Sequence, residues 1–148
     1  MVAETMAAVL GAEVVAPEEL PYTTVDDVGL IGFGSGIFYG GFHESLHSWI
    51  RGLPDAVRRG HPAFIFSTSG LPWLAGLWSR PLEAELARKG FDVRGRFHCR
   101  GFDTWGPLSL IGGINRGHPD AQDLARAAEF ARRMAGPGAA ASLHRAAG

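Results

Sequence analysis

Two short apolar runs, each breaking off into a patch of small residues, constrain this chain more than anything else in it. Val28–Phe33 reads VGLIGF and gives way to GSGIFYGG at Gly34–Gly41; Ala63–Phe66 reads AFIF and gives way to STSG at Ser67–Gly70. A continuous apolar run of this length, bounded by turn residues, suits a strand buried on both faces. Such strands belong to parallel sheets covered by helices on either side. Helical patterns lie between and around the two runs. Val2, Met6, Val9 and Leu10 share one face of a helix that Gly11 would cap. A second helix starts near Phe42 or His43 and ends by Gly52, with Pro54 as its stop. Pro81–Lys89 carries Leu82 and Leu86 four apart, with Gly90 behind it. Asp120 caps a last helix reaching Met134, whose Leu124, Ala127, Ala128 and Ala131 share a face and whose end carries Arg132 and Arg133. Two further strands are expected, AEVV at Ala12–Val15 and Phe91–His98, the latter alternating as a half-exposed edge strand does. The alternation of elements predicts an α/β sandwich around a parallel sheet, with ligands bound beyond the carboxyl ends of the strands.

With 148 residues the chain is long enough for one domain with a real core. The low-complexity stretch from Ala135 to Gly148 reads as a disordered tail, and there is no internal repeat. A net charge of -1 gives no electrostatic case for nucleic acid or an anionic membrane. No apolar run reaches the 18 residues or so that a membrane span needs, and MVAETMAAVL lacks a positive leader ahead of an apolar stretch. The single cysteine, Cys99, excludes an intramolecular disulfide and suits a reducing compartment, so the expected location is cytoplasmic.

Three motifs invite sharper chemistry and fall short of it. His43-Glu44-Ser45-Leu46-His47 is a literal H-E-x-x-H, the zinc-hydrolase spacing. A catalytic zinc needs a third protein ligand, yet positions 50 and 53 are Ile and Leu, and the next glutamate is Glu83. Asp55 and His61 lie past the helix end, and the histidine pair reads better as solvated or loop-bonded. Gly34-x-Gly36 with Gly40 imitates a dinucleotide fingerprint, but position 39 is Tyr and Asp55 would not end a strand as a ribose-binding carboxylate does. Ser35 and Ser69 lack the G-x-S-x-G frame of a strained nucleophile. Arg100 beside Cys99 would lower a thiol pKa, but His98 points to the opposite face of a strand, so an inert structural cysteine is the expectation.

Taken together, VGLIGFGSGIFYGGFHESL, PAFIFSTSG and KGFDVRGRFHCRGFDTWGPLSLIGGINRGHPDAQDLARAAEFARRM resemble one branch of the flavodoxin-like proteins, over most of Val2 to Met134. The resemblance implies a flavodoxin-like three-layer sandwich with a parallel sheet of order 2-1-3-4-5 in a domain spanning residues 1–134. It implies FMN as cofactor and redox partner proteins as the other side of the exchange. Gly34, Ser35, Gly36, Ile37, Phe38, Tyr39 and Gly40 would lie along one side of the isoalloxazine ring, with Ile37, Phe38 or Tyr39 on its face. Ser67, Thr68, Ser69 and Gly70 would flank the other side, their N–H groups and the Thr68 and Ser69 hydroxyls bonding the polar ring edge. Small residues let backbone approach a flat ring closely. Trp73 would cover the ring, Trp49 and Trp78 would pack in the core, and Arg100 and Phe102 would either border the site or a partner surface or merely close the loop around Gly101.

Against that family the chain starts late. MVAETMAAVLGAEVV matches the first helix and the second strand, so about fifteen residues are expected to be absent, including the first strand and the loop that holds the FMN phosphate at a helix N-terminus. Either the start codon lies further upstream, or the chain is truncated and binds FMN weakly. The function expected is an FMN-binding electron carrier. The alternatives are a flavin-dependent NAD(P)H reductase, a remnant that binds FMN poorly, and, remotely, a zinc hydrolase built on the HESLH segment.

Overall fold

In a computed structural model, the structure describes residues 1–37, 41–55, 59–101, 117 and 119–136. Four helices and three strands alternate along the chain: α1 (Val2–Leu10), β1 (Ile31–Gly36), α2 (Glu44–Gly52), β2 (His61–Ser69), α3 (Ala75–Arg88), β3 (Phe91–Arg100) and α4 (Ala121–Ala135). Short 3-10 turns occupy Pro17–Glu19, Tyr22–Asp27 and Pro72–Leu74. The strands form one parallel sheet in the order β1-β2-β3. Helices cover both faces, giving the expected three-layer α/β sandwich.

Each face has its own core. On one side, Leu46, Trp49 and Ile50 of α2 and Leu82 and Leu86 of α3 close over Phe33, Ala63, Ile65 and Phe91. On the other, Val2 and Met6 of α1 meet Ala127, Phe130 and Ala131 of α4 above Phe64, Phe97 and Cys99. The sequence periodicity of both outer helices anticipated this second layer. Gly11 ends α1 in the left-handed region at φ 61°, with its N–H bonded to the Ala7 carbonyl, the geometry that favours glycine at a C-cap. The Asp120 side chain accepts from the Asp123 N–H, and the Asp123 side chain accepts from the Asp120 N–H, so α4 opens on a reciprocal cap.

Three expectations need correction. First, Ala12–Val15 is not a strand. An apolar run becomes a strand only by pairing. Here Val14 and Val15 remain 49% and 40% exposed. Secondly, α3 begins six residues before Pro81, which sits inside the helix. Proline there removes the N–H that would bond the Leu77 carbonyl. Leu77 and Pro81 both lie on the exposed face, where water can take that carbonyl. Thirdly, β3 does not keep one alternation throughout. A bulge between the Ala63/Val93 and Phe64/Gly95 pairs leaves Arg94 over. Phe91 and Val93 therefore pack against the α2–α3 layer, while Phe97 and Cys99 pack against the α1–α4 layer.

Among the described residues no strand pairs with the outer edge of β1. A groove of about 1280 Å³ runs along that edge, lined by Met6, Leu10, Val14, Val15, Phe33 and Gly34 among others. No helix among the described residues is long and apolar enough to cross a membrane. Apart from Ala135 and Gly136, the expected tail at residues 135–148 lies outside the described residues.

Candidate functional site

The parallel register brings the two small-residue segments side by side. Ser35 stands opposite Ser67 and Gly36 opposite Thr68, and the pairing continues one step as the Ile37 N–H donates to the Thr68 carbonyl at 2.9 Å. The Ser35 hydroxyl donates to the Gly36 carbonyl at 2.6 Å and accepts from the His43 N–H at 3.2 Å. That second bond holds the start of α2 against the end of β1. Ile37 packs against the α2–α3 core. Phe38, Tyr39 and Gly40 lie outside the described residues.

Glycine is required here by space. A side chain at Gly34 would run into the Phe66 ring, and one at Gly32 into the Phe64 ring. On the far side of β2, the Gly101 N–H donates to the Ser69 carbonyl at 3.0 Å. A Cβ on Gly101 would stand 3.0 Å from the Cβ of Thr68. Gly101 therefore lets β3 leave the sheet pressed against the end of β2.

Consecutive strand residues face opposite ways, and this divides the expected ring-binding set. Gly34, Gly36 and Thr68 face the α1 side and line the groove, while Ser35, in register with Ser67 and bonded to the His43 N–H at the start of α2, faces the α2–α3 side. Ser67 and Ser69 are buried on the α3 side, and Gly70 follows them, also buried. The Thr68 and Ser69 hydroxyls thus leave β2 on opposite faces of the sheet. Trp73 is 73% exposed just beyond Gly70. Trp49 is a core residue whose indole N–H donates to the Leu20 carbonyl at 2.9 Å, and Trp78 is half-buried on α3. Arg100 ends β3 exposed, in register with Ser69, and Phe102 lies outside the described residues.

The structure adds one pair that sequence reasoning missed. Ser67 Oγ lies 2.6 Å from His98 Nδ1, across the β2–β3 ladder where the two residues are in register. Burial first, and the Arg96 charge second, push the His98 imidazole below its ordinary pKa, so the ring is held neutral. His98 Nε2 and Ser69 Oγ are both buried without a hydrogen-bond partner among the described residues. Register could not be foreseen here, because it passes through the bulge at Arg94.

The other candidates resolve into structural roles. His43 caps α2, its Nδ1 accepting from the Ser45 N–H at 3.2 Å, while His47 Nδ1 lies 2.7 Å from Glu85 on α3. The two imidazoles of the HESLH segment are thus turned to different partners. Among the described residues, no three His, Cys, Asp or Glu side chains gather as a metal site would require. Cys99 is buried, and desolvation, reinforced by the Asp123 charge, pushes its thiol up to about 11. Arg100 does not activate it.

No protein-family model matches the chain. It is 36% identical over 131 residues to "Uncharacterized protein MJ0298" of Methanocaldococcus jannaschii, an alignment spanning 88% of this chain and 85% of the relative. Among solved structures it is similar to a flavodoxin from the domain Archaea, with a TM-score of 0.63 and 14% identity, covering 90% of this chain and 85% of that one. It is also similar to an oxidoreductase from Corynebacterium diphtheriae, with a TM-score of 0.51 and 17% identity, covering 90% of this chain and 70% of that one. The fold is flavodoxin-like, and the chain belongs to the family of the Methanocaldococcus jannaschii protein MJ0298.

Proposed function

We propose that the chain binds FMN at the carboxyl ends of β1 and β2 and carries electrons between protein partners. The observation that carries this reading is the register of those strands. It sets Gly34–Ile37 beside Ser67–Gly70 at the point where an open parallel sheet offers its ligand crevice. The likeness to an archaeal flavodoxin supports the same assignment.

The residues present fit one part of that cofactor. Among the described residues, Ser69 Oγ and His98 Nε2 are buried polar atoms without a partner at the strand ends, as expected of groups that complete their hydrogen bonds on a ligand. Ile37 offers apolar contact to a flat ring, and the exposed Trp73 stands close enough in the chain to cover it. Among the described residues, the starts of α2, α3 and α4 offer no comparable match for the phosphate, since no Ser/Thr-rich turn directly opens any of the three. Bound FMN would supply reversible one- or two-electron chemistry. The chain's own contribution is to hold the ring against the strand ends, exclude water from its inner edge, and set the hydrogen bonds that tune it.

Purified protein mixed with FMN should quench the flavin's fluorescence and perturb its absorbance band at about 450 nm. With ring contacts carrying the binding, riboflavin should bind within about threefold of FMN. Protein that leaves the spectrum of both flavins unchanged at millimolar concentration overturns the reading. Steady NAD(P)H oxidation by the loaded protein alone would replace the carrier with a reductase.

A further inference from the structure

The Ser67–His98 contact fixes where the histidine proton sits. Ser67 is fully buried, and among the described residues its hydroxyl meets His98 Nδ1 alone. Were Nδ1–H the donor, the hydroxyl proton of Ser67 would be buried with nothing to bond. Ser67 therefore donates to Nδ1, and the single proton of the neutral ring stands on Nε2. His98 so presents an N–H donor, buried and without a partner among the described residues. Ser69 lies two residues beyond Ser67 on the same face of β2, one row nearer the carboxyl end. It is 6% exposed, and its hydroxyl is likewise unpartnered. Strands stand about 4.8 Å apart and such rows about 6.6 Å, so one atom between the two side chains lies within reach of both. Arg100, in register with Ser69, adds a positive charge at the rim.

Two donors unpartnered among the described residues, on neighbouring rows of one sheet face and beside a cation, suit an oxygen acceptor that can gain negative charge. We infer that His98 Nε2–H and the Ser69 hydroxyl together bond one carbonyl oxygen of the flavin's pyrimidine ring, with Ser67 as the positioning residue that sets the His98 tautomer. This rests on the flavin-binding reading above and assigns it specific atoms. Two electrons from the protein partner, with one proton from solvent at N5, leave the pyrimidine ring anionic. Donors on its carbonyl then hold the reduced ring more tightly than the oxidised one.

The test uses the 148-residue chain and its variants His98→Leu, His98→Gln, Ser69→Ala and Ser67→Ala. Flavin Kd is read by fluorescence, the midpoint potential by spectroelectrochemistry, and the His98 tautomer by nitrogen-15 NMR. His98→Leu should cost reduced flavin about tenfold more affinity than oxidised flavin, lowering a two-electron potential by about 30 mV. His98→Gln keeps an N–H donor and should recover most of that shift. Ser69→Ala should give part of it, and serves if the leucine variant does not fold. Ser67→Ala should turn a single Nε2–H tautomer into a mixture. Wild-type affinity and potential in both His98→Leu and Ser69→Ala overturn the inference, and the two donors then serve an internal water. Wild-type protein that takes up no flavin sinks the functional reading itself, and that outcome is visible before any variant is made.

Discussion

Lying under α3 with its ring bonded to Ser67, His98 gives up hydration to fold, and acid exposes that cost. Its folded pKa is depressed below the unfolded value of 6.5. Between the two values the unfolded chain binds the proton that the folded chain refuses. Stability should therefore be full above about pH 6.5 and fall as pH drops from there toward the folded pKa. Urea unfolding across pH 5–8 should show this slope in the wild type and a shallower one in His98→Gln; equal slopes in both would remove His98 as its source. Gly32 carries a different constraint. A methyl there would strike the Phe64 ring, itself buried against Phe130. Gly32→Ala should cost about 1–3 kcal/mol in chemical denaturation.

The elements differ in how much of their structure is local, and their legibility follows that difference. The cap of α4 is written in the four residues Asp120 to Asp123, and Asp120→Ala should cost about 1 kcal/mol by the same measurement, with unchanged stability speaking against the cap. Gly11, Asp120 and the apolar stripe of α1 are local signals, and each helix they mark is present. The start of α3 was not legible, because Pro81 resembles a first-turn proline and sits instead inside the helix, on its exposed face. Ala12–Val15 shows the limit more sharply. Its apolar character marks it for pairing, but a strand needs a neighbour, and local sequence says nothing about whether one is there. In the candidate site, small residues marked the segments at Gly34–Gly36 and Ser67–Gly70, which the strand register sets side by side. The Ser67–His98 contact stayed hidden because it depends on long-range register.

Across the whole molecule, the two faces of the sheet are sealed by helices while its β1 edge lines a large groove. Hydrogen exchange should report this asymmetry directly. In β2, flanked on both sides, successive amides should be protected, whereas in β1 protection should alternate, strong where the N–H meets β2 and weak where it points into the groove. Uniform protection along β1 would mean that its outer edge is covered in solution. The bulge at Arg94 acts on this same scale. It sends Phe91 to one core and Phe97 to the other, and aligns His98 with Ser67. In genetic terms, the chain is protected against replacing that arginine far better than against losing its codon. An in-frame deletion of three nucleotides would leave every other letter intact, yet turn Cys99 and Phe97 toward α3 and His98 toward the greasy layer behind. One residue of length, rather than any particular side chain, is what keeps the two halves of β3 in phase with their separate tasks.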